Sequence, residues 1–414
     1  MPRNIFIWMH RWVGLALAGF LIVVGLTGSI LAFWNELNHW LTPNLYPGAR
    51  PGIELDAATL ARRAETLVPQ ARATQIYLGY VGTAWVTMQP QAGAAPLDFD
   101  QIYLDNITGA ELGRIRFGEL SATLNAVMPF IYKLHYALAM GEFGGWILGL
   151  VALLWTLDCF VAFYLTLPAT LRDSGKGFFA RWKPAWRIKW RSSFYRVNFD
   201  LHRAGGLWLW AMLFIFAWSS VAMNLDSVYS RVTGVLFQYQ PFDYDTRTRS
   251  ADETRKPLEW EEAQNIAVRL MAEQAQKFDF EIGRTTAFYY LRDAGLYNYR
   301  VHSSRDIGDK YGSTGIDFDA YSGELVNVSL PTGAQSGITV TTWLMQLHTA
   351  NVFGRPYQIF VCLLGLAIAA LSITGVLIWW KKRHARNCGR RRAVRCAEKA
   401  TAGTRPRPKH YSVR

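Results

Sequence analysis

Four stretches of the chain carry almost no charge. Val13 to Trp34 and Ala204 to Leu225 are each 22 uncharged residues, Pro356 to Trp380 is a third such run, and Phe143 to Leu171 is a fourth, interrupted only by Asp158. An α-helix rises about 1.5 Å per residue, so 22 residues reach ~33 Å against a hydrocarbon core of ~30 Å. The pattern predicts four membrane-spanning helices. The first run exceeds the roughly 7 to 15 apolar residues of a secretory leader, and no small-x-small site follows it before Asn35-Glu36-Leu37, so it reads as a retained helix.

Between the spans, residues 35–142 and 226–355 follow other periods. Each opens on an Ala-rich amphipathic stretch, Asp56 to Val68 in the first and Leu258 to Gln276 in the second, with helical spacing. Alternating, strand-like segments come next: Gln75 to Tyr80, Ala84 to Gln89 and Gln101 to Leu104, then Thr285 to Leu291, Leu296 to His302 and Thr314 to Phe318. Both segments close on one phrase, Asp-x-x-[Thr/Ser]-Gly, at Asp105 to Gly109 and at Asp319 to Gly323. In such a turn the carboxylate accepts from its own downstream backbone and glycine takes the positive φ.

The spans repeat as well. His10-Arg11-Trp12-Val13-Gly14-Leu15 and His202-Arg203-Ala204-Gly205-Gly206-Leu207 open the first and third at an offset of 192, while Leu134-His135 and Leu347-His348 precede the second and fourth at an offset of 213. The chain is a doubled span-domain-span unit whose halves run in parallel about an axis along the membrane normal.

Charge orients it. Residues 169–204 hold nine Lys and Arg against two acids, and residues 381–414 hold thirteen against one. With Arg3 and Arg11 these segments carry +21 of a chain whose net charge is +13, so the remainder carries −8. Basic loops stay inside, which puts both termini in the cytoplasm and both large segments beyond the membrane. The pI of about 9.6 is thus a topology signal. Nucleic-acid binding is not expected, since the excess borders the spans without a recognition motif. Cys159, Cys362, Cys388 and Cys396 lie in spans or in the tail and give neither a disulfide framework nor a zinc pattern.

Four of the eight histidines sit at the mouths of the spans: His10 and His202 at the inner ends, His135 and His348 before the outer ends. Two imidazoles facing one another between packed helices offer both axial ligands of a haem iron, an arrangement that passes electrons without binding substrate at the metal. Zinc wants three or four ligands, and these pairs offer two. Histidine also serves as a half-polar interfacial anchor, and that reading applies to each residue singly. A straight helix would carry His135 and His348 ~12 to 14 Å beyond the start of their spans, so they would sit on a helical extension or a fold-back at the outer surface. Arg11 and Arg203 beside the inner pair, and Lys133 and Arg355 near the outer pair, are candidate partners for haem propionates; positive-inside anchoring explains the first two equally well. His39, His302, His384 and His410 read as structural or solvated. Asp158, the one charge within a span, is either part of a proton path or a neutral group bonded to a neighbouring helix. Trp182, Trp186 and Trp190 read as an interfacial segment, in which Pro184 forbids one continuous helix. No dinucleotide loop or Walker sequence is present, so electrons would come from another protein or a quinol.

The H-R-W-x-G-L opening, the T-G-x-x-L-x-F phrase of Thr27, Gly28, Leu31 and Phe33, the two Leu-His pairs, and Thr374-Gly375 with Trp379-Trp380-Lys381-Lys382 resemble the PepSY-associated transmembrane family. The two segments ending in Asp-x-x-[Thr/Ser]-Gly resemble PepSY modules. The resemblance runs to about residue 383 and is strongest to the inner-membrane ferric-siderophore reductases of the ferrioxamine-reductase type. It implies bis-histidine b-type haem and reduction of ferric iron at the periplasmic face. Some relatives carry a fused flavin domain; here a short basic tail takes its place.

The expected fold is therefore membrane α-helical, a four-helix transmembrane bundle with two periplasmic α+β PepSY-like domains. Its parts are span 1 (1–34), domain 1 (35–142), span 2 (143–171), a cytoplasmic basic loop (172–203), span 3 (204–225), domain 2 (226–355), span 4 (356–380) and a cytoplasmic tail (381–414). The expected function is an electron conduit in a bacterial inner membrane, with two haems b ligated by His10, His202, His135 and His348. Its partners would be the lipid bilayer, a ferric-siderophore or other ferric chelate, and a flavoprotein or quinol donor. The alternative is a membrane-anchored module that binds a peptide, a protease or a siderophore without redox chemistry.

Overall fold

In a computed structural model the described residues are 3–120, 123–168, 177–244 and 256–403. Residues 169–176 of the second apolar run and basic loop, His410, and the tail beyond 403 lie outside them. The helices are α1 (Arg3–Leu31), α2 (Trp34–Leu41), α3 (Ala57–Leu67), α4 (Val127–Ala137), α5 (Gly141–Thr166), α6 (Phe178–Trp182), α7 (Phe194–Trp208), α8 (Trp210–Asn224), α9 (Asp226–Leu236), α10 (Trp260–Phe278), α11 (Ser336–His348) and α12 (Gly354–Gly403). The strands are β1 (Ala71–Tyr80), β2 (Thr83–Pro90), β3 (Gln101–Asp105), β4 (Glu111–Ile115), β5 (Ile282–Leu291), β6 (Leu296–Ser303), β7 (Thr314–Asp319) and β8 (Leu325–Ser329).

Three helices, α1, α5 and α12, are long and apolar enough to cross a membrane. In lipid a helix satisfies all its own backbone groups, which is why these uncharged runs take that form. The expected third span is not one straight helix: α7 and α8 meet at a bend around Leu209 and reach spanning length only together. Thus there are three candidate spans, or four with the bent pair as one. Trp182 ends α6, and a 3₁₀ turn holding Pro184 follows, as the missing proline N–H requires.

The chain divides into two compact units. The first comprises Met1–Ile22, Leu157–Trp210 and Ile368–Arg414, and the second Val23–Thr156 and Ala211–Ala367. In the first, the Arg3 guanidinium donates to the Leu165 and Leu167 carbonyls at the end of α5 (2.5 and 3.0 Å), and buried Asp200 accepts from Arg196 and Arg203. In the second, small residues let α1 and α12 approach: Ser29 Oγ donates to the Cys362 carbonyl at 2.8 Å, and a Cβ on Gly365 would overlap the Gly25 carbonyl.

The second unit also holds a single antiparallel sheet of eight strands, ordered β4-β3-β2-β1-β5-β6-β7-β8. Its halves come from the two segments read as PepSY-like domains, residues 35–142 and 226–355. They join where β1 pairs with β5, Ile76 opposite Phe288. Both amphipathic helices lie over one shared core. Leu60, Ala61 and Ala64 of α3 and Trp260, Ala263, Ala267 and Met271 of α10 bury with Ile76, Val86, Ile102, Phe288, Tyr297 and Phe318 of the sheet. Alanine on the facing helices permits close approach, and Gln264 accepts from the Ala58 N–H at 2.8 Å across it. Asp56 caps α3 by accepting from the Thr59 N–H at 2.8 Å.

The repeated turn has one geometry in both halves. Asp105 Oδ1 accepts from the Ile107 and Thr108 N–H groups (2.9 and 3.0 Å), and Asp319 Oδ1 from those of Tyr321 and Ser322 (3.0 and 2.9 Å). Gly109 and Gly323 take φ of +68° and +74°. The turns lead into β4 and β8, two strands the sequence pattern did not predict.

Candidate functional site

Both sets of histidines meet, one pair within each unit. In the first unit His10 of α1 faces His202 of α7, their ring centroids 6.0 Å apart at 47°. In the second, His135 of α4 faces His348 of α11 at 6.3 Å and 66°.

The outer-span histidines take the fold-back, not the extension. α4 ends two residues beyond His135, Leu138 and Ala139 turn through positive φ (52° and 56°), and α5 starts at Gly141. α11 ends on His348, Ala350 and Phe353 take φ of 53° and 58°, and α12 starts at Gly354. Among the described residues only one other non-glycine, Asp279, has a positive φ. Each such residue costs about 1–2 kcal/mol, so these two turns are held by what surrounds them. A Cβ on Gly144 would overlap the Ala137 carbonyl, so glycine is what lets α4 lie back on α5.

Every imidazole of the four is anchored through Nδ1. His10 Nδ1 donates to the Asp158 carboxylate of α5, at 2.9 and 3.1 Å. His202 Nδ1 donates to the Leu371 carbonyl (3.0 Å), with the Thr374 hydroxyl 3.1 Å away. Thr27 Oγ1 gives its own proton to the Val23 carbonyl at 2.7 Å, so it accepts from His135 Nδ1 at 2.9 Å. Ser219 Oγ likewise donates to Phe216 at 3.1 Å and accepts from His348 Nδ1 at 2.7 Å. The Phe216 ring stacks on His348, centroids 4.6 Å apart. With the proton fixed on Nδ1, the lone pair of each ring lies on Nε2, the tautomer a metal-ligating histidine needs. Burial pushes His135 down to about 4, against a pull from the Val24 carbonyl, and His348 down to about 3, so both rings are neutral at physiological pH.

The two Thr-Gly pairs do the same work. Thr27 orients His135, and a Cβ on Gly28 would stand 2.9 Å from that imidazole's Cε1; Thr374 orients His202, and a Cβ on Gly375 would stand 3.1 Å from its Cε1. Ser219 lies 192 residues after Thr27, the offset that relates His10 to His202, so that offset applied to Thr27 would have found it. Asp158 is bonded to a neighbouring helix, as one reading expected, but its partner is one of the four histidines.

The four cations are placed unevenly. Arg11 follows His10 and has no ion-pair partner among the described residues. Arg203 is engaged elsewhere, donating to Asp200 (2.9 Å) and to the Pro184 carbonyl (2.7 Å), so it is less available to an anion than expected. Lys133 packs against Gly118, and Arg355 is exposed, 3.8 Å from Glu36. His39 and His302 satisfy backbone carbonyls of Tyr46 and Gly308, and His384 lies 3.6 Å from Cys388. Among the described residues no three or more of His, Cys, Asp and Glu gather to hold a metal ion by themselves.

The family described as the PepSY-associated TM region matches residues 7–382. No curated protein matches the chain. The match takes in all four facing histidines, both Thr-Gly pairs and the whole sheet, and the chain accordingly belongs to the PepSY-associated transmembrane family.

Proposed function

We propose that each histidine pair holds the iron of one haem b and that the protein passes electrons across a bacterial inner membrane to a ferric chelate, such as a ferric-siderophore, on the periplasmic side. The observation that carries this reading is the pairing itself: two imidazoles, each anchored through Nδ1, brought within ring contact of one another, twice. Metal–nitrogen bonds of ~2 Å on either side of one ion, added to the distance from each nitrogen to its ring centre, bring imidazole centroids about 6 Å apart. The separations here are 6.0 and 6.3 Å. Two protein ligands would leave a bare ion under-coordinated, whereas a tetrapyrrole would bring the remaining ligands itself. A haem held there would supply a one-electron carrier.

The chain's own residues do the rest. His10 and His202 in one unit, and His135 and His348 in the other, present Nε2; Asp158, Thr374, Thr27 and Ser219 keep the rings in place; Arg11, Lys133 and Arg355 offer charge to propionates. Each ferric ion takes one electron. A quinol oxidised to quinone would release two electrons and two protons and so serve two ferric ions, and a flavoprotein is the other donor class. Fe(II) is bound less tightly than Fe(III) by hard oxygen ligands, so reduction loosens a siderophore's hold. The net −8 of the segments outside the basic loops suits a neutral or cationic chelate.

The visible spectrum of the purified full-length protein tests this. Wild type is expected to show bis-histidine haem bands at two haems per chain, and H10A or H348A to lose about one haem each. Protein made with ample haem and showing no bands would end the proposal. Bands that survive all four alanine substitutions would end the ligand assignment.

A further inference from the structure

We infer that Asp158 sets the His10–His202 pair at a lower reduction potential than the His135–His348 pair, which makes Asp158 a positioning residue that gives the electron path its direction. The inference rests on the haem reading above. Its basis is an asymmetry in the hydrogen bonds behind the four rings. Three of them give their Nδ1 proton to neutral acceptors: the Leu371 carbonyl with the Thr374 hydroxyl, the Thr27 hydroxyl and the Ser219 hydroxyl. His10 alone gives it to a carboxylate, at 2.9 Å.

The duplication makes the contrast sharper. Residue 158 of the first half corresponds, at the offset of 213 that relates His135 to His348, to residue 371 of the second, and there the acceptor is a leucine backbone carbonyl. The carboxylate is thus an addition to one half and not a requirement of the helix packing that both halves share. Nor does it serve a Lys or Arg: among the described residues neither pairs with Asp158, and His10 is its one ion-pair and hydrogen-bond partner. Its side chain is 12% exposed, so its charge is little screened.

A charge-assisted bond to Nδ1–H draws the proton toward the acceptor and leaves Nε2 a stronger electron donor. A stronger donor and a nearby negative charge both favour Fe(III) over Fe(II), and a low-dielectric setting enlarges the effect. A haem held by the first pair would then give up its electron more readily. Exchange between the pairs moves one electron, with the first oxidised and the second reduced, and makes or breaks no bond. Equilibrium favours an electron on the second unit.

Spectroscopic redox titration of the purified protein decides the matter without any substrate. Wild type is expected to titrate with two midpoints. D158N raises the lower one by at least tenfold in the one-electron equilibrium, 59 mV, leaves the upper one in place and keeps both haems, while D158E restores most of the wild-type value. A D158N protein with two haems and unchanged midpoints overturns the inference while leaving the haem reading intact, as does one in which only the upper midpoint moves. Should D158N lose haem, the comparison passes to single-site proteins. H135A, retaining the first pair, is expected to titrate below H10A, retaining the second, and the reverse order overturns the inference. Absence of haem from wild type would instead overturn the reading beneath it.

Discussion

At the scale of single residues, the working parts are small groups that aim larger ones. Gly28 and Gly375 leave the space into which His135 and His202 fit. A methyl at either position would meet imidazole Cε1 at 2.9 or 3.1 Å, closer than carbon atoms sit in packed interiors, and would turn the ring off axis. If each pair holds the proposed haem, G28A is expected to weaken its retention in the second unit alone and G375A in the first alone, each by about 10–100-fold, the usual cost of disturbing the groups that orient a metal ligand. Haem stoichiometry after mild competition with apo-myoglobin reads the loss; an equal loss from both sites in either variant would refute the local role. The histidines were legible in the sequence because a polar residue beside an uncharged run stands out. Ser219 was not, since one serine in an apolar helix resembles any other until its distance from Thr27 is noticed.

Elements show the same division between local chemistry and packing. The Asp-x-x-[Thr/Ser]-Gly phrase predicted its turns because every contact in them is local. Asp105 adds one that is not, an ion pair with Arg50, and its side chain is 5% exposed. Burial opposes the charge on Asp105, yet the Thr108 N–H, the Arg50 guanidinium and the Ile107 N–H together hold its carboxyl below the usual carboxylate range. A depressed folded-state value means that the stabilisation is complete above the unfolded value, ~3.9, and is lost as pH falls through the folded one. D105A is expected to cost about 1–3 kcal/mol near neutral pH and to flatten the acid limb of stability below pH ~4, as followed by tryptophan fluorescence; an unchanged acid limb would exclude Asp105 as its source. The turn after α4 makes the opposite prediction. Ala139 sits at φ 56°, where glycine is unstrained, so A139G is expected to stabilise by about 1 kcal/mol despite glycine's greater chain entropy. A fall in the melting temperature of A139G would show that the turn is not strained. Such fold-backs were only partly legible: the distance from His135 to Gly144 left a helical extension or a fold-back, and positive φ at Leu138, Ala139, Ala350 and Phe353 follows no glycine signal.

At the scale of the whole molecule, residues 35–142 and 226–355 read as two domains whose packing the sequence left open, and one sheet joins them, with Phe288 wholly buried at the seam against Trp260, Tyr297 and Tyr299. F288A is expected to cost about 3–5 kcal/mol and, because the core is common, to lower hydrogen-exchange protection in β1–β3 as well as in β5–β7. Loss confined to β5–β7 would mean that the halves are energetically separate. The sequence by itself determined what depends on length, charge and spacing along one chain: apolar runs long enough to cross a bilayer, basic segments beside them, a doubled unit, and histidines at equivalent places in each copy. These follow from the bilayer's thickness and the helix's rise, and need no partner to be read. Only the tertiary structure decided which groups face one another across more than a hundred residues: β1 beside β5, His10 with His202, His135 with His348, and the one carboxylate behind one of the four rings. Those choices rest on the packing of distant surfaces, where a hydroxyl, a carbonyl or a carboxylate serves equally well to satisfy a buried N–H and differs only in what it does to the ring.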